Sequence, residues 1–387
     1  MTYIGDYTLP QELLEEISEE GFDVLPQLIT TVINTAMRLE RQKHLGVEPY
    51  QRSETLVDYA NGYKPKTVAT RVGKLTFDVP QVREGDFYPS ALEKGTRSER
   101  ALKVALAEMY IQGVSTRKVA AITEQLCGFE VSSSQVSAAT AQLDEQFDAW
   151  RERPLDQIRY LYLDARYEKV RQDGIIKDIA VLIATGVNAE GKREVLGVST
   201  STSEHEVHWR EFLQSLVKRG LHGVELIISD AHAGLKIART AVFGGVPWQR
   251  CQAHLQRNAQ AYVPKVEMKA QVAAEIRAIF NAPNQQTAGA MLNQIVDEYH
   301  TSAPKLALWL EENIPQGLTI FAFPQTHQRL IRTTNGLERL NREIKRRTQV
   351  VSIFPNDQSC LRLVTAIVSE ISDDWLAAKT YIKSSGL

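Results

Sequence analysis

At residue 156 the apolar spacing changes from about 3.6 residues to about 2, and that switch constrains the fold more than any other feature of the chain. The runs "IRYLYLD", "DIAVLIATGV" and "EVLGVSTS" read as three consecutive strands joined by polar turns at Gly174 and Gly191. Helical spacing returns in "SEHEVHWREFLQSLVKRG", behind a serine cap at Ser203, and leads into a fourth strand, "VELIISD". A further helix near 233–243 precedes the short run "VPWQRC". The order predicts an α/β domain with a mixed five-stranded sheet and flanking helices.

Three strands, helix, strand, helix, strand is the order of an RNase H-like sheet, in which the first and fourth strands are neighbours. Both of those strands end on aspartate, Asp164 and Asp230, 66 residues apart (230 − 164), so their carboxylates are expected at one edge. Paired carboxylates there suit Mg²⁺, which takes hard oxygen ligands and keeps positions open for phosphate and water. Each aspartate alone also fits a local turn that ends a strand. The matching positions favour the pair. Arg166, Lys169 and Arg171 follow Asp164 closely, and a DNA backbone beside the acids would account for them.

A third acid is expected from the later stretch "TTNGLERLNREIKRR", which offers Glu338 and Glu343. Five residues apart, they lie about 140° apart around a helix and cannot share a face. Glu338 shares its face with Asn341, Arg342 and Lys345, a set suited to a metal ligand among phosphate contacts. Glu343 lies near Arg339, Arg346 and Arg347, which fits ordinary helical ion pairs. Asn335 followed three residues later by Glu338 also fits a capping box. Cys251 and His254 form a C-x-x-H pair, but no second Cys/His pair follows at the spacing a structural zinc needs. His205 and His208 stand three residues apart and read as a solvated or packed helix face, with Trp209 and Phe212 on its buried side.

Upstream, in an N-terminal region of residues 1–50, residues 10–45 carry helical spacing, with Leu13, Leu14 and Ile17 as one candidate dimer contact and "TTVINTAMRL" as another. Residues 51–96 hold a β-hairpin around Gly73-Lys74, carrying Lys66, Arg71 and Lys74, and then a polar linker. Residues 97–150 contain two short helices capped by Ser115 and Ser132 and joined through Gly128. This pattern fits a helix-turn-helix presenting Ser133, Ser134, Gln135 and Ser137 to a major groove, and equally a plain helical hairpin. The remaining 151–387 form the α/β domain.

The formal net charge of −2 conceals segregation. "QELLEEISEE" holds five Glu and no base, whereas residues 331–347 hold six bases against two acids. Three scattered cysteines do not describe a disulfide framework. With no secretory start and no run of about 18 apolar residues, the expectation is a cytoplasmic, nucleoid-associated protein without membrane contact.

"LYLDARYEKVR", "IISDAHAGLKIA" with "PWQRCQAHLQRN", and "RTTNGLERLNREIKRRTQVVSIFPN" with "LRLV", preceded by "NGYKPKTVATRVGKLTFDVPQVREGDFYP", together resemble the Mutator-type transposases of bacterial insertion sequences. The likeness runs in order from about residue 60 to 370. It implies a DDE triad at Asp164, Asp230 and Glu338 holding two Mg²⁺ ions, with Mn²⁺ able to substitute. It also implies Cys251 and His254 as support beside the active site, and a helical insertion at about 255–330 within the 108 residues between Asp230 and Glu338 (338 − 230). The expected partners are double-stranded DNA, as terminal inverted repeats and target, and a second copy of the chain. The expected DNA contacts are the residues of the hairpin, the helix pair and the Asp164 strand named above, with Arg342, Lys345 and Arg346. The rival readings are a DNA-binding regulator without chemistry and a structure-selective nuclease that cuts without joining.

Overall fold

The structure, a computed structural model, describes residues 11–46, 58–85, 87–95 and 97–383, without the side chains of 12–14. Leu13 and Leu14 therefore lie outside the described side chains. The chain divides into two compact units, Met1–Gln142 and Leu143–Leu387.

The first unit runs α1 (Gln11–Glu20), α2 (Leu25–Leu45), β1 (Ala60–Thr70), β2 (Gly73–Val82), α3 (Arg100–Ile111), α4 (Thr116–Cys127) and α5 (Ser133–Ala141). Thr70 pairs with Gly73, so the hairpin turns at Arg71 and Val72 rather than at Gly73-Lys74. Gly73 opens the return strand with φ +117°, a conformation closed to other residues. Met37 of α2 packs on Val68, Leu75, Phe77 and Val79 of the hairpin. The expected linker is instead part of this fold. Tyr88, Ala91 and Leu92 join the same core, and Ala69 exchanges backbone hydrogen bonds with Arg97 and Glu99 at 2.9 and 2.8 Å.

Helices α3 to α5 close around Leu102, Leu106, Val119 and Val136. Ser115 caps α4 by accepting from the Lys118 amide, and Gly128 ends it at φ +70°. Ser132 caps α5 in a reciprocal box with Gln135. Both serine caps stand where the sequence put them.

The second unit begins with α6 (Asp144–Glu152). The expected boundary at 150 falls inside that helix, because Asp144 is bound by Arg362 and Arg151 donates to Thr365, both far along the chain. There follow β3 (Ile158–Gln172), β4 (Ile175–Asn188), β5 (Arg193–Ser201), α7 (Glu206–Lys218), β6 (Leu226–Ser229), α8 (Ala233–Val242) and β7 (Trp248–Arg250). The sheet order is β5-β4-β3-β6-β7. The first three strands form an antiparallel meander, and β6 and β7 add in parallel. A mixed five-stranded sheet is thus what the period switch encodes. Trp209, Phe212, Leu213 and Leu216 of α7 and Leu235 of α8 cover Leu161, Leu163 and Leu182 on one face. Helix α7 starts later than expected, with His205 rather than Ser203 at its N-cap.

After β7 come α9 (Gln252–Ala259), α10 (Met268–Phe280), α11 (Gln285–Ser302) and α12 (Pro304–Asn313), then α13 (Gln325–Ile331), α14 (Asn335–Thr348) and α15 (Asp357–Ala377). Helices α9 to α12 bury a core of their own, including Leu255, Ile276, Leu292, Leu306 and Leu310. Helices α14 and α15 pack against β3, α15 also against β5. Among the described residues no helix is long and apolar enough to cross a membrane.

Candidate functional site

In the parallel part of the sheet Tyr162 lies opposite Ile228, an offset of 66 (228 − 162). The same offset carries forward to Asp164 and Asp230. Ser229 lies opposite Arg250 in the next pair, which brings Cys251 to the level of Asp230. Strand register alone therefore sets Asp164, Asp230 and Cys251 in a row where β6 and β7 end.

Asp164 does not end its own strand. β3 continues to Gln172, paired with β4, and the two turn over at Asp173 and Gly174, both at positive φ. Its even-numbered side chains meet the C-terminal helices in succession. Tyr160 Oη lies 2.7 Å from His327 Nδ1 and Tyr162 Oη donates to the Leu330 carbonyl at 3.2 Å. Asn341 Nδ2 donates to Asp164 Oδ2 at 2.8 Å. Arg166 donates to the Asn341 carbonyl and pairs with Glu168, and Glu168 accepts from Thr348 Oγ1 at 3.0 Å. One face of the strand thus carries α13 and α14 along its length.

This arrangement changes the reading of the bases after Asp164. The Arg166 side chain is only 12% exposed and serves the fold. Lys169 pairs across the hairpin with Asp178 at 3.3 Å, and Arg171 is exposed near the tip. In the first unit, Lys66 Nζ is taken up by Tyr88 Oη and the Glu93 carbonyl. Arg71 pairs with Glu99 while staying largely exposed, and Lys74 sits over the Phe129 ring. Gln135 spends its carbonyl oxygen on Ser132 as a cap, which competes with the base-reading role expected of it. Ser133, Ser134 and Ser137 are exposed beside it. On α14, Arg342 and Lys345 are exposed, whereas Arg346 pairs with Glu343 at 2.6 Å. Arg347 makes the expected helical pair with Glu343 and is buried between it and Glu370.

Glu338 stands in the first turn of α14, but not in a capping box: Thr334 is the N-cap and no side chain caps the helix. Its carboxylate lies 3.8 Å from His254 Nε2 and 3.7 Å from Arg257. Buried Cys251 accepts from the amide and hydroxyl of Thr334, both at 3.4 Å, and so ties the end of β7 to the start of α14. Packed against the Cys251 sulfur and, despite burial, close to Asp230 and Asp164, the His254 imidazole is pushed up to about 9. Cys251 and His254 thus lie beside the acids, with His254 between the strand pair and Glu338.

Burial, with help from the charges of Asp230 and Glu204, raises Asp164 to about 6 against the opposing pull of His254 and the Ala165 amide. Glu204 escaped the sequence reading because its approach depends on packing: a Cβ on Gly234 would come within 2.3 Å of the Glu204 carbonyl, so only glycine lets α8 start there. Asn341 was visible three residues after Glu338, although its bond to Asp164 was not.

Hard carboxylate oxygens on neighbouring strands, in surroundings that resist a second negative charge, fit a divalent cation. Among the described residues no three His, Cys, Asp or Glu side chains already converge as a metal cluster. The strand pair supplies carboxylates at one level, whereas Glu338 is engaged by His254 and Arg257.

Comparison with known proteins agrees with the motifs. The model of the family "Transposase, Mutator family" matches residues 8–378. The chain is 57% identical to the transposase for insertion sequence element IS406 of Burkholderia multivorans, over 94% of both chains. It is 44% identical to the transposase for ISRM5 of Rhizobium meliloti, over 94% of this chain and 92% of that one. With the transposase for IS256 in transposon Tn4001 of Staphylococcus aureus it shares 37% identity, over 97% and 98%. Sequence, family model and relatives agree along nearly the whole length: the chain belongs to the Mutator family of transposases.

Proposed function

We propose that the chain cuts DNA at the ends of an insertion sequence and joins them to target DNA, using an RNase H-like domain of the DDE type interrupted by the helices after β7. The observation that carries this reading is the hydrogen bond from Asn341 to Asp164, which brings the helix bearing Glu338 to the level strand pair. Asp164, Asp230 and Glu338 would hold Mg²⁺, or Mn²⁺ in its place, which when bound polarises the phosphate and lowers the proton affinity of the attacking oxygen. Both steps are in-line displacements at phosphorus: water attacks first, and the freed 3′-hydroxyl then attacks the target strand.

The chain's own groups prepare these steps. Asn341 fixes one oxygen of Asp164, and the Ala165 and Ala231 amides orient Asp164 and Asp230 at 3.0 and 2.7 Å. His254 and the largely exposed Arg257 keep positive charge beside Glu338, suited to a phosphate arriving there. Exposed Arg342 and Lys345 continue that charge along α14.

Recognition of the terminal repeats is assigned to the first unit, through α4 and α5 and the hairpin. Two copies of the chain would bring two ends together, one site per end. The test is a strand-transfer assay with the purified chain, Mg²⁺ and a labelled duplex taken from the inverted repeats flanking the gene. Joined product is expected. Cutting without joining would reassign the chain to the nucleases, and binding with neither step would make it a regulator.

A further inference from the structure

Beside Asp230, the edge of the sheet holds a group of cations that the reaction as described does not use. Arg250 ends β7 and is only 6% exposed. Lys236 projects from the second turn of α8 and Arg239 from the next. Lys236 Nζ and Arg250 NH1 converge on one neutral atom, Gln316 Oε1, at 3.5 and 3.4 Å. Arg250 also donates to Asn313 Oδ1 at 2.7 Å, yet its buried Nε has no partner among the described residues. Arg239 and Lys236 lie over the Trp248 ring at 4.4 and 5.0 Å.

Buried cations ordinarily face carboxylates. Here the direct partners are amides and an indole, and among the described residues none of the three cations makes an ion pair. Burial, and then the charges of Arg250 and Arg239, press the Lys236 ammonium down, with Asp230 acting the other way. Two positive groups meeting at one neutral amide oxygen would be better satisfied by an anion in its place.

We propose that Lys236 and Arg250, with Gln316 giving way, bind a backbone phosphate of the DNA strand whose scissile bond lies at Asp164 and Asp230. The inference rests on the proposed reaction and adds a subsite to it. A phosphate held there, beside Asp230, fixes the strand at a second point, so that the reacting phosphate meets the acids in one register.

The test combines duplex-binding titrations over a salt series with thermal melting in inorganic phosphate, using the full chain and its Lys236→Gln and Lys236→Arg variants. Lys236→Gln is expected to lower the salt slope of log K by about 0.9, the value for one neutralised phosphate, and Lys236→Arg to restore it. Phosphate should raise the melting temperature of the wild-type chain above that in chloride of equal ionic strength, and should not do so for Lys236→Gln. An unchanged slope with an unchanged phosphate response overturns the subsite and leaves the proposed reaction standing. Loss of the phosphate response without a change of slope makes this a site for free phosphate, which also overturns the assignment to DNA. Failure of the wild-type chain to bind duplex removes the proposed reaction and the DNA subsite together, and the phosphate arm then reads only whether the pocket takes a free anion.

Discussion

Asp164 and Asp230 hang from neighbouring parallel strands whose register is set by backbone hydrogen bonds, whereas Glu338 hangs from a helix that meets the sheet through side chains. The strand pair is level before any ligand arrives. The helix-borne acid, by contrast, is held by His254 and Arg257. Backbone pairing fixes a position to within a residue, while contacts of a half-buried side chain at 3.7–3.8 Å set a position less tightly. A site built in these two ways has a preset half and a half free to change partners.

Substitutions at the acids should break this comparison most severely. Asp164→Asn, Asp230→Asn and Glu338→Gln are each expected to abolish cleavage and joining in the strand-transfer assay while leaving binding to end DNA intact, because an amide keeps the shape and loses the charge that the proposed reaction needs to hold Mg²⁺. Glu343→Gln should stay active. A dead Glu343→Gln beside an active Glu338→Gln would move the role to the other face of α14.

Arg166 separates structural from DNA-facing bases. Arg166→Ala leaves Glu168 without its guanidinium partner and should cost about 3 kcal/mol in denaturant unfolding, with no change in the salt slope of DNA binding. Alanine at both Arg342 and Lys345 should do the reverse, lowering the slope by about 0.9 for each phosphate no longer neutralised and leaving stability unchanged. A lowered slope in Arg166→Ala at full stability would return that residue to the DNA surface.

Asn341→Ala keeps all three acids and removes the link between the halves. Activity should fall about 10- to 100-fold, the usual cost of removing a group that orients a metal ligand, and recover in part at higher Mg²⁺. An equal loss at every Mg²⁺ concentration would mean that Asn341 acts through something other than cation binding.

The smallest effect is on stability. Because the folded Asp164 carboxyl is raised from 3.8 to about 6, its protonation favours the native state, and that contribution is complete at low pH and lost as pH rises through about 6. Without divalent cation, Asp164→Asn should therefore melt higher than the wild-type chain at pH 8, by on the order of 1 kcal/mol after allowance for solvent, and equally at pH 4. A less stable Asp164→Asn at pH 8 would show that the carboxylate is not under strain.

The strand-borne half was legible in the sequence because period-2 patterning and matching strand ends depend on neighbours along the chain. "LYLD" and "IISD" each carry their own signal, and parallel pairing converts equal positions into equal levels. What the local pattern did not show is that β3 runs on past Asp164, since only β4 tells those residues that they are paired. The fates of Arg166 and Arg347 depend on Asn341 and Glu370, partners distant along the chain that the local pattern does not announce. The segment 83–100 looked like a linker because its polar residues outnumber the Tyr88, Ala91 and Leu92 that anchor it.

The most direct test of a preset pair joined by a third acid that changes partners is a crystal structure of the chain with end DNA and Mn²⁺, read by the anomalous scattering of manganese. The predicted result is a manganese peak shared by Asp164 and Asp230, with the Glu338 carboxylate turned from Arg257 onto it. Manganese bound elsewhere, or a Glu338 still paired with His254 and Arg257 beside an occupied strand pair, would contradict it.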